Sequence, residues 1–141
     1  MRIGSIGAVL AIGWLAAGSA QAATVHFAAT LKGADEVPAN TTAGTGEVTA
    51  TLDTDTKTLD YGATYSGLSG PGTMAHFHGP AAPGANAPPV IAVKDAANPI
   101  KGEAKLTDAQ IADLTAGKWY FNVHTAAHPG GEIRGQLQAA P

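Results

Sequence analysis

Five histidines stand at 26, 76, 78, 124 and 128, and two of them close the run Thr73-Met-Ala-His-Phe-His78. An extended chain turns alternate side chains to opposite faces, so Met74, His76 and His78 share one face while Phe77 takes the other. Imidazoles two residues apart on a strand face start about 6.7 Å apart at the backbone, and both rings can lean to one metal ion at about 2.0–2.1 Å per nitrogen. His124, ending Trp119-Tyr-Phe-Asn-Val-His124, is the natural third ligand, and His128 lies in the turn Thr125-Ala-Ala-His-Pro129, from which it could supply a fourth. An all-nitrogen set with few carboxylates suits copper, or zinc, over calcium or magnesium. Met74 offers a soft thioether for Cu(I), and His26 an amino-terminal Cu(II) arrangement, as lesser alternatives. The plainer reading is of surface histidines on an ordinary sheet.

Those residues need strands to hold them. Short runs rich in Val, Thr, Tyr and Phe, punctuated by Gly, Pro and Asp, predict strands near 24–31, 46–53, 58–65, 73–78, 89–93, 100–106, 118–124 and 132–138. Alternation sends Trp119, Phe121 and Val123 inward and Tyr120, Asn122 and His124 outward; in the last strand Ile133 and Leu137 go inward and Glu132, Arg134 and Gln136 outward. Asp53-Thr-Asp-Thr-Lys-Thr58 reads as a hairpin turn rather than a calcium loop, lacking the sixth-position Gly and twelfth-position Glu of the latter. One short helix is expected after Thr107, whose spacing to Gln110 makes a capping box, with Ile111 and Leu114 as its apolar stripe and Gly117 as its stop. The Pro/Gly/Ala stretch 79–89 is a long loop of the kind that covers or shapes a site. The fold expected is all-β, an antiparallel immunoglobulin-like or Greek-key sandwich or barrel of about eight strands with one short helix.

Composition narrows the chemistry. The chain has 141 residues, 8 Lys/Arg against 11 Asp/Glu, 18 Gly, 9 Pro and no Cys. That suffices for one domain with its own core. A net charge of −3 with no basic run argues against a nucleic-acid partner. Without Cys there is no disulfide, thiolate-bound zinc, blue-copper centre, iron–sulfur cluster or thiol nucleophile. Arg2, the apolar run from Ile3 to about Ala17 and the small-residue pattern Ala20-Gln-Ala22 read as a signal peptide over 1–22, leaving a domain over 23–141 that is periplasmic or secreted. The apolar run, about 15 residues, is short of a membrane span, so no spanning segment is expected. Ser66 and Ser69 lie in no nucleophile elbow, adjacent Asp35 and Glu36 would point to opposite faces if extended, and no phosphate or dinucleotide loop appears.

Four segments, Phe27-Ala-Ala-Thr-Leu-Lys-Gly-Ala-Asp-Glu-Val-Pro38, Ala75-His-Phe-His-Gly-Pro80, Gly117-Lys-Trp-Tyr-Phe-Asn-Val-His-Thr125 and Pro129-Gly-Gly-Glu-Ile-Arg-Gly-Gln136, resemble the CHRD domain, first described in chordin and widespread in exported bacterial proteins. The resemblance covers nearly the whole chain after residue 22 and implies an all-β, immunoglobulin-like sandwich. A weaker likeness runs to Cu/Zn superoxide dismutase, in which a His-x-His strand and a later strand-borne His bind copper and an Arg guides the anion. By order and spacing it implies His76 and His78 as the pair, His124 as the later ligand and Arg134 as the guide, while the bridging His, the zinc loop and the disulfide have no counterpart.

Three functions follow as expectations. One is an exported protein binding a transition metal, copper first, through His76, His78 and His124, with His128 or Met74 as a further ligand. A second is a copper-dependent, superoxide dismutase-like enzyme with Arg134, and Lys118 beside it, focusing the anion locally. A third is a metal-free adhesion or scaffold module with a protein partner not specified by the sequence, in which Arg134 pairs with Glu132 or a nearby carboxylate.

Overall fold

A computed structural model describes Gly18 and residues 23–141; the signal peptide expected over 1–22 falls, Gly18 apart, outside the described residues. The chain runs β1 (Thr24–Lys32), a 3-10 turn (Gly33–Asp35), β2 (Thr45–Asp53), β3 (Thr58–Ser66), β4 (Met74–His78), β5 (Pro89–Ala92), β6 (Ile100–Lys105), α1 (Asp108–Thr115), β7 (Tyr120–His124), β8 (Ile133–Gln136) and β9 (Gln138–Ala140). Every pairing is antiparallel, in the order β5-β4-β7-β8-β1-β2-β3-β6, with β9 also on β1. The sheet curls into a near-barrel whose two ends are β5 and β6, the all-β architecture expected.

Local chemistry explains the elements. Asp53 Oδ1 accepts from the backbone N–H groups of Asp55 and Thr56, both at 2.9 Å, which builds the β2–β3 turn. Thr107 caps α1 reciprocally with Gln110, and Gly117, at φ 73°, turns the chain out of it. The final strand departs from expectation by breaking at Leu137, where the backbone N–H leaves the β1 ladder and bonds Trp119 O at 2.9 Å. Just before the break β8 crosses β1 so closely that a Cβ at Gly135 would run into the Thr30 carbonyl oxygen.

Alternation fills the interior. Phe77 is fully buried, with ring centroids of Phe121 at 4.8 Å, Tyr61 at 5.0 Å and Trp119 at 6.1 Å. Tyr61 belongs to β3, so Phe77 ties the site-bearing strands to the opposite wall. Leu31, Leu52, Leu59, Val123, Ile133 and Leu137 complete a core that fixes β4, β7 and β8 from behind.

Candidate metal centre

β4 pairs β7 with Met74 opposite His124, His76 opposite Asn122 and His78 opposite Tyr120; β7 pairs β8 with Asn122 opposite Arg134 and Tyr120 opposite Gln136. One face of three adjacent strands thus carries an array of polar side chains, while the other supplies the core. The ring nitrogens of His76, His78 and His124 converge so that one ligand atom from each lies within 4.8 Å of the others. His76 Nδ1 is 3.1 Å from His124 Nε2, close to the ~3.3 Å separation of two ligands sharing a tetrahedral ion at about 2.05 Å.

Hydrogen bonds set the tautomers. His78 Nδ1 donates to Ala87 O at 2.8 Å and His124 Nδ1 donates to Pro129 O at 2.8 Å, since a carbonyl only accepts. In the neutral rings both Nε2 atoms then carry lone pairs, the ligand form of imidazole with a backbone partner behind it. Those Nε2 atoms lie 3.1 and 3.0 Å from Asn122 Oδ1, an acceptor facing two acceptors. Turning the amide so that Nδ2 donates to both rings relieves the conflict, and so does a cation seated among the nitrogens. Protonating His78 is disfavoured: burial pushes it, and His76 beside it, below the ordinary histidine range, and His124 nearby adds to the effect on each. The donor set therefore fits a transition-metal ion.

The expectation that this face looks outward to solvent needs correction. Tyr120, Asn122, His124, Glu132 and Arg134 are all buried, and Gln136 is partly so: residues 79–88 fold over Tyr120, Arg134 and Gln136, while the segments bearing Thr42, Ser69 and Thr125 enclose Glu132. Arg134 donates to Asn86 Oδ1 at 3.0 Å and Ala85 O at 2.6 Å, and Gln136 Nε2 donates to Ala81 O at 2.8 Å. Arg134 Cζ lies 3.4 Å above the Tyr120 ring centroid, and that ring stacks on His78 at 4.6 Å and 4°. The loop thus closes the site at the His78 end, leaving half-buried His76 at the open end.

Two buried glutamates flank the array with opposite electrostatics. Burial pushes Glu36 up to about 7, against the pull of Arg134 and hydrogen bonds from Asn122 and the Val37 backbone; its Oε1 has no partner. At Glu132 desolvation also acts upward, but hydrogen bonds from Ser69, Thr125 and Thr42 outweigh it and hold the carboxyl at about 2. Thr42 Oγ1 and Ser69 N donate to Oε1 at 2.6 and 2.8 Å, and Ser69 Oγ and Thr125 Oγ1 to Oε2 at 2.6 and 2.5 Å. Glu132 thus ties the loops before β2 and β4 to the end of β7 through hydroxyls. Of the carboxylates expected beside Arg134, Glu132 does not pair with it and Glu36 feels its charge; the guanidinium itself bonds the Ala85 carbonyl and the Asn86 amide and lies on the Tyr120 ring.

The CHRD domain family matches residues 27–137, which include every residue of this array. The chain belongs to the CHRD domain family. No curated protein and no solved structure matches it.

In this CHRD domain the candidates divide by position. His76, His78 and His124 come together. His128 stays outside that group, half-buried in a turn closed by His128 N to Thr125 O at 3.1 Å and Gly131 N to His128 O at 3.0 Å. It lines a cleft of about 270 Å³ with Glu36, Asn40 and Gly131. His26 is exposed on β1 against Thr51 Oγ1 at 3.1 Å, in a ladder away from β4 and β7. Met74 is 48% exposed at the start of β4. Sequence reasoning missed Asn122 as the hub of the triad and Glu36 as its buried neighbour. The alternation in Trp119–His124 already placed Asn122 on the histidine face, but nothing in the 3-10 turn at 33–35 signalled that Glu36 would fold back beneath it while Asp35 stays exposed near Lys32.

Proposed function

We propose that this CHRD domain is an exported transition-metal-binding protein that holds copper through His76, His78 and His124. The observation that carries the reading is the convergence of three imidazole nitrogens, two presented as Nε2 lone pairs by Nδ1–H bonds to backbone carbonyls. Nitrogen ligands without a carboxylate favour copper or zinc, and the leader-like segment over 1–22 supports export. His128 is the further ligand on this reading only if its turn opens toward the triad.

Copper turnover against superoxide has less support. It asks Arg134 to draw an anion in from solvent, yet the guanidinium is 2% exposed and engaged by Asn86, Ala85 and Tyr120. Reversible binding for storage or transfer needs only the ligands.

Elemental analysis of the exported protein, before and after loading with Cu(II) or Zn(II), tests the proposal. Near-stoichiometric copper that His76→Ala and His78→Ala abolish, in variants that keep the folded circular dichroism spectrum, is the expected result. Absence of bound metal in the folded wild-type protein would overturn it and leave the metal-free adhesion or scaffold reading.

A further inference from the structure

The triad is closed at one end and open at the other. His78 lies under the 79–88 loop, His76 is half-buried, and beyond His76 on the same face of β4 stands Met74. Met74 is directly opposite His124 in the β4–β7 ladder, where facing Cβ atoms sit about 4.5–5.5 Å apart. Thr73 holds this end of the strand by donating N–H and Oγ1 to His124 O at 2.8 and 3.2 Å. The thioether therefore springs from a fixed backbone between two candidate ligands, and three rotatable bonds let it reach over either.

Packing does not account for the residue. Met74 is the exposed large hydrophobic side chain among the described residues, and it stands at the mouth of the histidine cluster. It is also the only sulfur in residues 23–141, the chain having no Cys and its other Met at position 1. A thioether adds little to binding of Zn(II) or Cu(II) but is a good ligand for soft Cu(I).

We propose that Met74 Sγ closes the triad from the solvent side as a fourth ligand, so that the site takes Cu(I) as well as Cu(II). The inference rests on the copper reading above and gives that site its oxidation-state preference: three nitrogens hold either ion, and sulfur adds affinity for the reduced one. Placed at the open end, it is also the first ligand an arriving Cu(I) ion meets.

The test is anaerobic competition for Cu(I) against bicinchoninate, with Zn(II) and Cu(II) titrated in parallel, on the wild-type protein, Met74→Leu and His76→Ala. Leu keeps the bulk at an exposed position, so the metal-free variant should unfold at the wild-type temperature. Met74→Leu should weaken Cu(I) binding by at least roughly 10-fold and change Zn(II) and Cu(II) affinity less than about 3-fold, whereas His76→Ala should weaken all three. X-ray absorption of the Cu(I)-loaded wild type should show one sulfur scatterer, and loading should protect Met74 from peroxide oxidation. Unchanged Cu(I) affinity in Met74→Leu, or a Cu(I) spectrum without sulfur, would overturn the thioether while leaving the triad standing. Failure of the wild type to bind copper at all would overturn both.

Discussion

Replacing Glu132 with glutamine keeps the shape of a fully buried side chain and removes its charge. Both carboxylate oxygens are saturated by donors, two on each, and no cation pairs with the group among the described residues. A glutamine oxygen can still accept from Thr42 Oγ1 and from the fixed Ser69 N–H. Its amide, however, faces the Ser69 and Thr125 hydroxyls, which must rotate to accept. Exchanging four charge-assisted bonds for fewer neutral ones costs about 2–4 kcal/mol, less what is regained by not burying a charge. Linkage gives an independent figure: lowering the carboxyl from 4.5 to about 2 corresponds to at most about 3 kcal/mol, and discounting for solvent screening reduces that to about 1–2. We therefore expect about 2 kcal/mol of destabilisation at pH 7, or a fall in Tm of about 6–10 °C.

The sign follows from a depressed folded-state pKa. The carboxylate's contribution is present in full above about 4.5 and lost as pH falls toward about 2. Urea unfolding of both proteins at pH 7, 5, 3.5 and 2.5 should show the wild-type advantage nearly unchanged between pH 7 and 5 and shrinking toward zero through pH 3.5 and 2.5. A gap that stays constant across this range, or no gap at pH 7, would refute the assignment of Glu132 as an ionised, hydroxyl-held tie.

Glu36→Gln should behave in the opposite way. A carboxyl raised to about 7 penalises the folded state as pH climbs from 4.5 through 7, so the variant should match wild type at pH 4 and exceed it by about 1–2 kcal/mol at pH 8 in the same urea assay. Arg134→Ala strips partners from Ala85 O and Asn86 Oδ1 and uncovers Tyr120; it should cost about 2–4 kcal/mol and expose residues 79–88 to limited proteolysis. Copper at about 100-fold over its Kd should add about 2.7 kcal/mol to stability, seen as a thermal shift that His78→Ala abolishes. Because burial keeps His76 and His78 neutral below the usual imidazole range, binding measured by equilibrium dialysis should hold to about pH 6 and fade beneath it; loss already at pH 7 would contradict neutral ligands.

The strands were legible because their side chains alternate. Period-two patterning in 73–78 and 118–124 located Phe77, Phe121 and Val123 inside and the histidines on the reverse face, as found. Helix α1 was legible from its Thr107–Gln110 cap. Alternation identifies a face but carries no information about what lies over it, which is why Tyr120, Asn122 and Arg134 were expected at the surface and are instead buried, Tyr120 and Arg134 beneath 79–88 and Asn122 against Glu36 and Gly131. The 79–88 loop has no periodicity to read, and apart from the Asn86 side chain its anchors are backbone groups, which every residue possesses. Glu36 was obscured for a related reason: one turn of 3-10 helix redirects the chain, and Asp35 and Glu36 part company for reasons of tertiary position alone.

Restraint is unequal among the three imidazoles. His78 is tethered at Nδ1 and stacked on Tyr120, and His124 is tethered at Nδ1 to Pro129, whereas the ring of His76 has only His124 as a hydrogen-bond partner. Two ligands are tethered to the backbone and the third is not. An ion held here would exchange from the open end, shedding Met74 and then His76 while the tethered pair retains it, and offering the vacated positions to an incoming chelator. Lability would then be governed by the side chains at the open end, leaving the fold unmoved while metal passes in and out.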